Sequence, residues 1–132
     1  SVRSADFDPL GRVRTIVGLD LFVFGDIDGS DHNVRLQHPI GIAHHEGVLY
    51  ITDTYNHKIK RILPFTRSAF TLLGSGVAGH VDGPADQAKF SEPSGLSFAN
   101  GKIYIADTNN HAIRVADVES GTVSTLDVVG LR

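Results

Sequence analysis

The amino-acid sequence predicts an all-β fold, built from repeated four-stranded antiparallel blades, on three observations. There is a long internal repeat. The segments between turns are short and rich in Ile, Val, Leu, Tyr, Phe and Thr, the residues a pleated surface prefers. Gly and Asn punctuate those segments at hairpin spacings.

The repeat sets the architecture. Residues 39–62 align with 93–116 at an offset of 54 without gaps, and 10 of the 24 positions are identical, a register that chance does not hold over such a length. The matches are Pro39/Pro93, Gly41/Gly95, Gly47/Gly101, Tyr50/Tyr104, Ile51/Ile105, Asp53/Asp107, Thr54/Thr108, Asn56/Asn110, His57/His111 and Ile59/Ile113. The same offset links Gly25/Gly79, Asp28/Asp82 and Gly29/Gly83 upstream, and Thr71/Thr125 and Leu72/Leu126 downstream. A partial third copy opens the chain. There Val2-Arg3-Ser4-Ala5-Asp6 resembles Ile113-Arg114-Val115-Ala116-Asp117, and Gly11-Arg12-Val13-Arg14-Thr15 resembles Gly121-Thr122-Val123-Ser124-Thr125. The expected organisation is a half blade over 1–18, full blades over 19–74 and 75–127, and a tail over 128–132.

Within the first full copy the strands are expected at 41–45, 48–53, 58–63 and 69–73. In the second they are expected at 95–99, 102–107, 112–117 and 123–126, and an opening strand at 2–7. Glu46-Gly47 and Asn100-Gly101 read as tight hairpin turns. The runs Val48-Leu49-Tyr50-Ile51 and Ile103-Tyr104-Ile105-Ala106 are apolar without alternation, so both their faces should be covered. A blade sandwiched between blades meets that condition, which makes the fold about two and a half blades of a β-propeller. Leu36 and Phe90, at equivalent positions, are expected to plug the seams between blades. Asp28-Gly29 and Asp82-Gly83 read as turns that return the chain to the centre.

Composition narrows the function. Hydrophobic residues make up 41% and charged residues 20%, which is globular rather than disordered. The net charge of −3 argues against a nucleic-acid partner, since phosphate binders are usually basic. The absence of cysteine excludes disulfides, thiolate nucleophiles and Cys-based zinc sites, and fits either redox compartment. No apolar run approaches a membrane-spanning length, and Ser1-Val2-Arg3 lacks a signal-peptide pattern. There is no methionine, even at position 1, so the chain reads as a piece of a longer one.

The chemically suggestive group is Asp53, Asn56 and His57, with its repeat Asp107, Asn110 and His111. An active site needs such a constellation once, so its recurrence favours a structural turn motif. The Asp should accept N–H groups of its own turn, the Asn should tolerate a left-handed backbone, and the His ring should bond a neighbouring carbonyl. Asp26, Asp28 and Asp31 cluster but lack the pattern of a dedicated calcium loop. Adjacent His44 and His45 would point to opposite faces of a strand, and His32, His38 and His80 are scattered, so no metal or cofactor site is expected. Lys58, Lys60, Arg61 and Arg67 form a local basic stretch with Tyr55 nearby, a possible binding surface. The second repeat places Ala112 and Val115 at two of those positions, so a solvated outer face is the simpler reading. No Gly-x-Ser-x-Gly or phosphate-loop motif is present.

The elements Pro39-Ile40-Gly41 and Pro93-Ser94-Gly95, followed by Asp53-Thr54-Tyr55-Asn56-His57 and Asp107-Thr108-Asn109-Asn110-His111, resemble the NHL-repeat family. A narrower resemblance lies in Phe24-Gly25-Asp26-Ile27-Asp28-Gly29, Arg35-Leu36-Gln37-His38-Pro39 and the stretch from Asp53 to Lys60. These look like the last blades of proteins that join a thioredoxin-like domain to an NHL propeller. The resemblance implies a non-catalytic scaffold whose partner is a protein; the rivals are RNA binding and a metal-dependent lyase or hydrolase. The exposed edge of 2–7 and the bare face of the last blade imply self-association or docking of further blades.

Overall fold

β-Branched and aromatic runs, separated by positive-φ turns, fold into three antiparallel sheets in the computed structural model, which describes residues 1–7, 10–19 and 22–127. The expected tail over 128–132 lies outside the described residues. The first sheet holds only β1 (Val2–Ala5) and β2 (Val13–Val17). The middle blade contains β3 (Gly29–Ser30), β4 (Ile42–His45), β5 (Val48–Asp53), β6 (Lys58–Leu63) and β7 (Ser68–Leu73), in the order β3-β7-β6-β5-β4. The last blade contains β8 (Gly83–Pro84), β9 (Pro93–Ala99), β10 (Lys102–Asp107), β11 (Ala112–Asp117) and β12 (Thr122–Thr125), in the matching order β8-β12-β11-β10-β9. Helical structure among the described residues is limited to three single turns, and no helix is long and apolar enough to cross a membrane.

The hairpins form where the sequence predicts them. Glu46 and Gly47 have φ of 49° and 78°, and Asn100 and Gly101 have 52° and 73°. Two consecutive positive-φ residues match the strand twist in a two-residue turn. Strand ends differ from expectation by one or two residues, as ladder ends do. The opening strand ends at Ala5, one pair before the hairpin loop, and the Asp6 N–H still donates to Arg12 O in the same register. Asp28-Gly29 and Asp82-Gly83 do not simply turn the chain inward. Gly29 and Gly83 begin short outermost strands that pair with β7 and β12, so each blade gains a fifth strand. Their φ values of 142° and 130° suit glycine, and the Asp28 carboxylate fixes the outer strand by accepting the Thr71 N–H at 2.8 Å.

Two apolar seams hold the sheets together. One joins Val2 and Val17 to Val34, Leu36, Ile51, Ile62 and Ala69. The other joins Tyr50, Ile59 and Leu73 of the middle blade to Ala88, Phe90, Ile103, Ile105, Ala116 and Val123. Leu36 and Phe90 are both buried, one in each seam. β5 is buried on both faces from Tyr50 to Asp53, whereas β10 alternates because only one of its faces meets another blade. The sheets are therefore two blades and two strands of a third, stacked as in a propeller.

Candidate functional site

Each Asp-Thr-x-Asn-His element lies at the turn after the second long strand of its blade. Asp53 and Asp107 end β5 and β10, and a single 3₁₀ turn follows, Thr54–Asn56 or Thr108–Asn110. The N–H of His57 or His111 donates to the first Thr carbonyl of the turn, which leaves the histidine to reverse the chain. The left-handed residue is therefore the His, with φ of 56° at His57 and 51° at His111, and not the Asn.

The aspartates do not cap their own turns. Asp53 Oδ1 accepts the N–H of Gln37 at 2.7 Å, and Asp107 Oδ1 accepts that of Ser91 at 2.8 Å. Both donors lie 16 residues upstream, in the segment that enters the blade. The other oxygen accepts from the Asn of the same motif, Asn56 at 2.7 Å and Asn110 at 2.8 Å. Each Asn amide also donates to a distant carbonyl, Gly25 O or Gly79 O. The motif thus ties the turn to the incoming connection.

A buried cation completes each cluster, and here the basic-stretch reading fails. Lys60, expected on a solvated face and offered as a binding-surface residue, is fully buried. Its Nζ lies 2.7 Å from Asp26, 3.1 Å from Asp28 and 3.3 Å from Asp53. Burial works against its charge, but the surrounding carboxylates outweigh that and hold its pKa above the ordinary lysine value. Asp26 and Asp28 pay a burial penalty too, yet hydrogen bonds from Lys58, Lys60 and Thr71 hold both below the usual carboxylate range. Lys58 pairs with Asp26 at 2.6 Å, and Arg61 lies over the Phe70 ring at 5.7 Å. Arg67 pairs with Asp31 at 2.8 Å and donates to Thr15 O and Ile16 O, which pins β2 to the middle blade. Three of the four cations of the stretch, Lys58, Lys60 and Arg67, are thus paired with carboxylates, and Arg61 rests on an aromatic ring. The same contacts occupy Asp26, Asp28 and Asp31 with cations.

In the last blade Arg114 takes the place of Lys60. Its Nη1 donates to Asp107 at 2.7 Å and to Lys89 O at 2.8 Å; its Nη2 donates to Asp82 and Val81 O, both at 2.8 Å. Asp82 is held below the ordinary range, because the Arg114 and Thr125 hydrogen bonds outweigh its slight desolvation. Sequence reasoning missed this pair of cations. The signal was present: Asp28/Asp82, Asp53/Asp107, Lys60/Arg114 and Thr71/Thr125 all share the 54-residue offset.

The motif's Thr and His reach across the seam. Thr54 Oγ1 donates to Pro93 O at 2.8 Å, and His57 Nδ1 accepts the Glu92 N–H at 3.0 Å. The ring therefore receives an N–H rather than bonding a carbonyl. Thr52 Oγ1 adds a bond to Ser94 O at 2.5 Å. His45 stacks on Phe98 with centroids 3.8 Å apart, closing the same seam. Tyr55 stays exposed and stacks on His38 at 4.7 Å.

This turn recurs in register and, in the middle blade, couples to the next blade, and a family model described as NHL repeat matches residues 90–116. The chain belongs to the NHL-repeat family. It is 43% identical over 143 residues to Protein SUPPRESSOR OF QUENCHING 1, chloroplastic, of Arabidopsis thaliana, covering 100% of this chain and 14% of that protein. It is 44% identical over 128 residues to NHL repeat-containing protein 2 of Bos taurus, covering 89% of this chain and 18% of that protein. The chain thus spans less than a fifth of these relatives. A crystal structure of an auxiliary nutrient binding protein from Bacteroides ovatus superposes with a TM-score of 0.73 at 22% identity. That match covers 95% of this chain and 32% of the other, and it supports the propeller fold of the NHL blades alone.

Proposed function

We propose that these NHL blades form a non-catalytic scaffold that presents the turn ends bearing Tyr55 and Asn109 to a protein partner, within a longer thioredoxin-like/NHL-repeat protein. The supporting observation is a division of labour within the motif. In the middle blade the side chains of Asp53, Thr54, Asn56 and His57 all bond within the fold while Tyr55 is exposed. In the last blade Asp107, Thr108 and Asn110 bond within the fold, and Asn109, exposed like Thr108 and His111, also bonds Glu92. The position of Tyr55 and Asn109 is also the one position of the five-residue element where the two copies differ. A variable exposed side chain on a rigid repeated frame suits recognition.

The test compares the longer protein with its Tyr55→Ala/Asn109→Ala variant by affinity isolation, after matching their melting temperatures. Proteins recovered with the parent are expected to be lost from the variant. Identical recovery would overturn the assignment of this surface.

A further inference from the structure

We infer that Asn100 is a site of spontaneous deamidation in the folded chain, and that its isoaspartyl product, unlike its aspartyl product, disrupts the β9–β10 hairpin. The inference is independent of the Tyr55 surface, because this hairpin lies at the other end of β10 from the turn at Asn109.

The reaction has three requirements at one peptide bond. The carboxamide must be free of hydrogen bonds, the following nitrogen must be free of its own, and no side chain may crowd that nitrogen. Asn100-Gly101 meets all three. Both residues are exposed and form the two-residue turn between β9 and β10. Among the described residues neither the Asn100 carboxamide nor the Gly101 N–H has a hydrogen-bond partner. Apart from its neighbours in the chain, no atom lies within 4 Å of where a Cβ on Gly101 would sit.

The other asparagines each lack a requirement. Asn33 precedes the branched, buried Val34, whose N–H donates to Asp31 O. Asn56 donates to Asp53 and Gly25 O, and Asn110 to Asp107 and Gly79 O. Asn109 donates to Glu92. The Asp28-Gly29 and Asp82-Gly83 bonds offer the same ring closure in principle. However, Asp28 pairs with Lys60 and accepts the Thr71 N–H, and Asp82 pairs with Arg114. A carboxylate held ionised by a cation is a poor electrophile.

The chemistry needs only water. The Gly101 amide gives its proton to solvent base, and its nitrogen bonds to Asn100 Cγ. The Cγ–NH₂ bond breaks, ammonia leaves and a five-membered succinimide remains. Water then adds to either ring carbonyl and opens that C–N bond. In total an amide and a water become a carboxylate and an ammonium ion. Opening at Cγ gives aspartate. Opening at the main-chain carbonyl gives isoaspartate, which carries the chain through Cβ and Cγ. The fold distinguishes the two products. The equivalent hairpin has Glu46 at this position with φ of 49°, against 52° at Asn100, so a carboxylate on an ordinary main chain fits the turn. Isoaspartate adds a main-chain atom to that turn. It therefore conflicts with the pairing of Ala99 with Lys102 and with the Val118 N–H bond to Gly101 O at 3.2 Å.

The test ages the 132-residue chain at mildly alkaline pH in heavy-oxygen water, then unfolds it and digests it with trypsin in ordinary water. Cleavage after Lys89 and Lys102 releases residues 90–102, whose one asparagine is Asn100. Mass spectrometry should find heavy oxygen accumulating at Asn100, faster as the pH is raised, with the other asparagines and both Asp-Gly bonds unlabelled. Part of the product should accept a methyl group from an isoaspartyl methyltransferase. Asn100→Gln should abolish the labelling, because glutamine must close a six-membered ring. The separated isoaspartyl form should melt below the parent, and Asn100→Asp should melt like it. An unlabelled intact chain under conditions where the free peptide 90–102 converts, or label spread over the other asparagines, would overturn the site. An isoaspartyl form as stable as the parent would overturn its effect on the hairpin.

Discussion

Lys60 and Arg114 occupy one structural position in successive blades and solve its electrostatics differently. Both side chains are fully buried, and both reach the aspartate that ends the preceding strand, at 3.3 Å for Lys60 and 2.7 Å for Arg114. The compact ammonium gathers carboxylates, including Asp26. The guanidinium forks, so it takes two backbone carbonyls as well, and the position equivalent to Asp26 is His80, which does not contact it. A planar five-donor group and a point charge are not interchangeable, and the change at position 26 or 80 accompanies the change at 60 or 114.

Removing Asp107 should leave Arg114 buried without its closest carboxylate. Asp107→Ala is expected to cost about 3–5 kcal/mol, the range for breaking a buried pair from one side. Asp107→Ala combined with Arg114→Met should recover part of that loss, because the stranded charge goes with it. Denaturant melts of the two single variants, the double variant and the parent give the coupling. A neutral Asp107→Ala would contradict the structural role.

Stability should fall in acid with a definite window. Asp26, Asp28 and Asp82 have folded pKa values below the unfolded reference of about 3.9. Their contribution is present above that reference and disappears as pH drops through the lowered folded values. Lys60 is shifted upward, so its contribution is intact below the unfolded lysine value and lost only in strong alkali. The Asp26, Asp28 and Asp82 contribution to the urea midpoint should decline below about pH 4, opposed by Asp53, whose burial holds its pKa above the ordinary value so that its own contribution grows as pH falls. Asp26→Asn should reduce the acid-side decline.

The sequence-level basic stretch should not bind RNA tightly. Lys58 and Lys60 are paired with Asp26, and Arg67 with Asp31. Titration of labelled single-stranded RNA at near-physiological salt should give no binding tighter than about 10⁻⁶ M, the non-specific range. Tighter binding that is abolished by neutralising Lys58 and Arg61 would contradict this.

The chain in isolation should associate with itself at high concentration. The outer face of the last blade carries a groove lined by Thr108, His111, Ile113 and Leu126. Ile113 is 37% and Leu126 43% exposed, so the patch is apolar as well as polar. Sedimentation across a concentration series should show a rising average mass. A single monomeric species throughout would argue that this face is satisfied in some other way.

The fold was legible because the repeat is local and periodic. Pro39/Pro93 and Asp53/Asp107 mark the blades, and glycines at 47 and 101 mark the hairpins. The candidate site was harder to read because its bonds are long-range. Lys60 meets Asp26 across 34 residues, and Arg114 meets Asp82 across 32. A window along the chain sees Lys58, Lys60 and Arg61 as one basic run, while the fold assigns the first two to a carboxylate and the third to an aromatic ring. Likewise, the aspartates were expected to bond within their turns, yet their donors lie in segments that only the closed blade brings near.

The contacts made by Thr54 and His57 across the seam bear on how such an array melts and grows. The middle blade holds the incoming strand of its successor through main-chain atoms, so part of its stabilisation exists only when that neighbour is folded. An array coupled in this nearest-neighbour way should unfold cooperatively rather than blade by blade, with the coupling strength set at the seam. The contacts are also largely indifferent to the successor's side chains, since Glu92 and Pro93 contribute an N–H and a carbonyl. A duplicated 54-residue unit would bring both halves of the joint with it. Tandem duplication could therefore lengthen the array without a new interface having to arise.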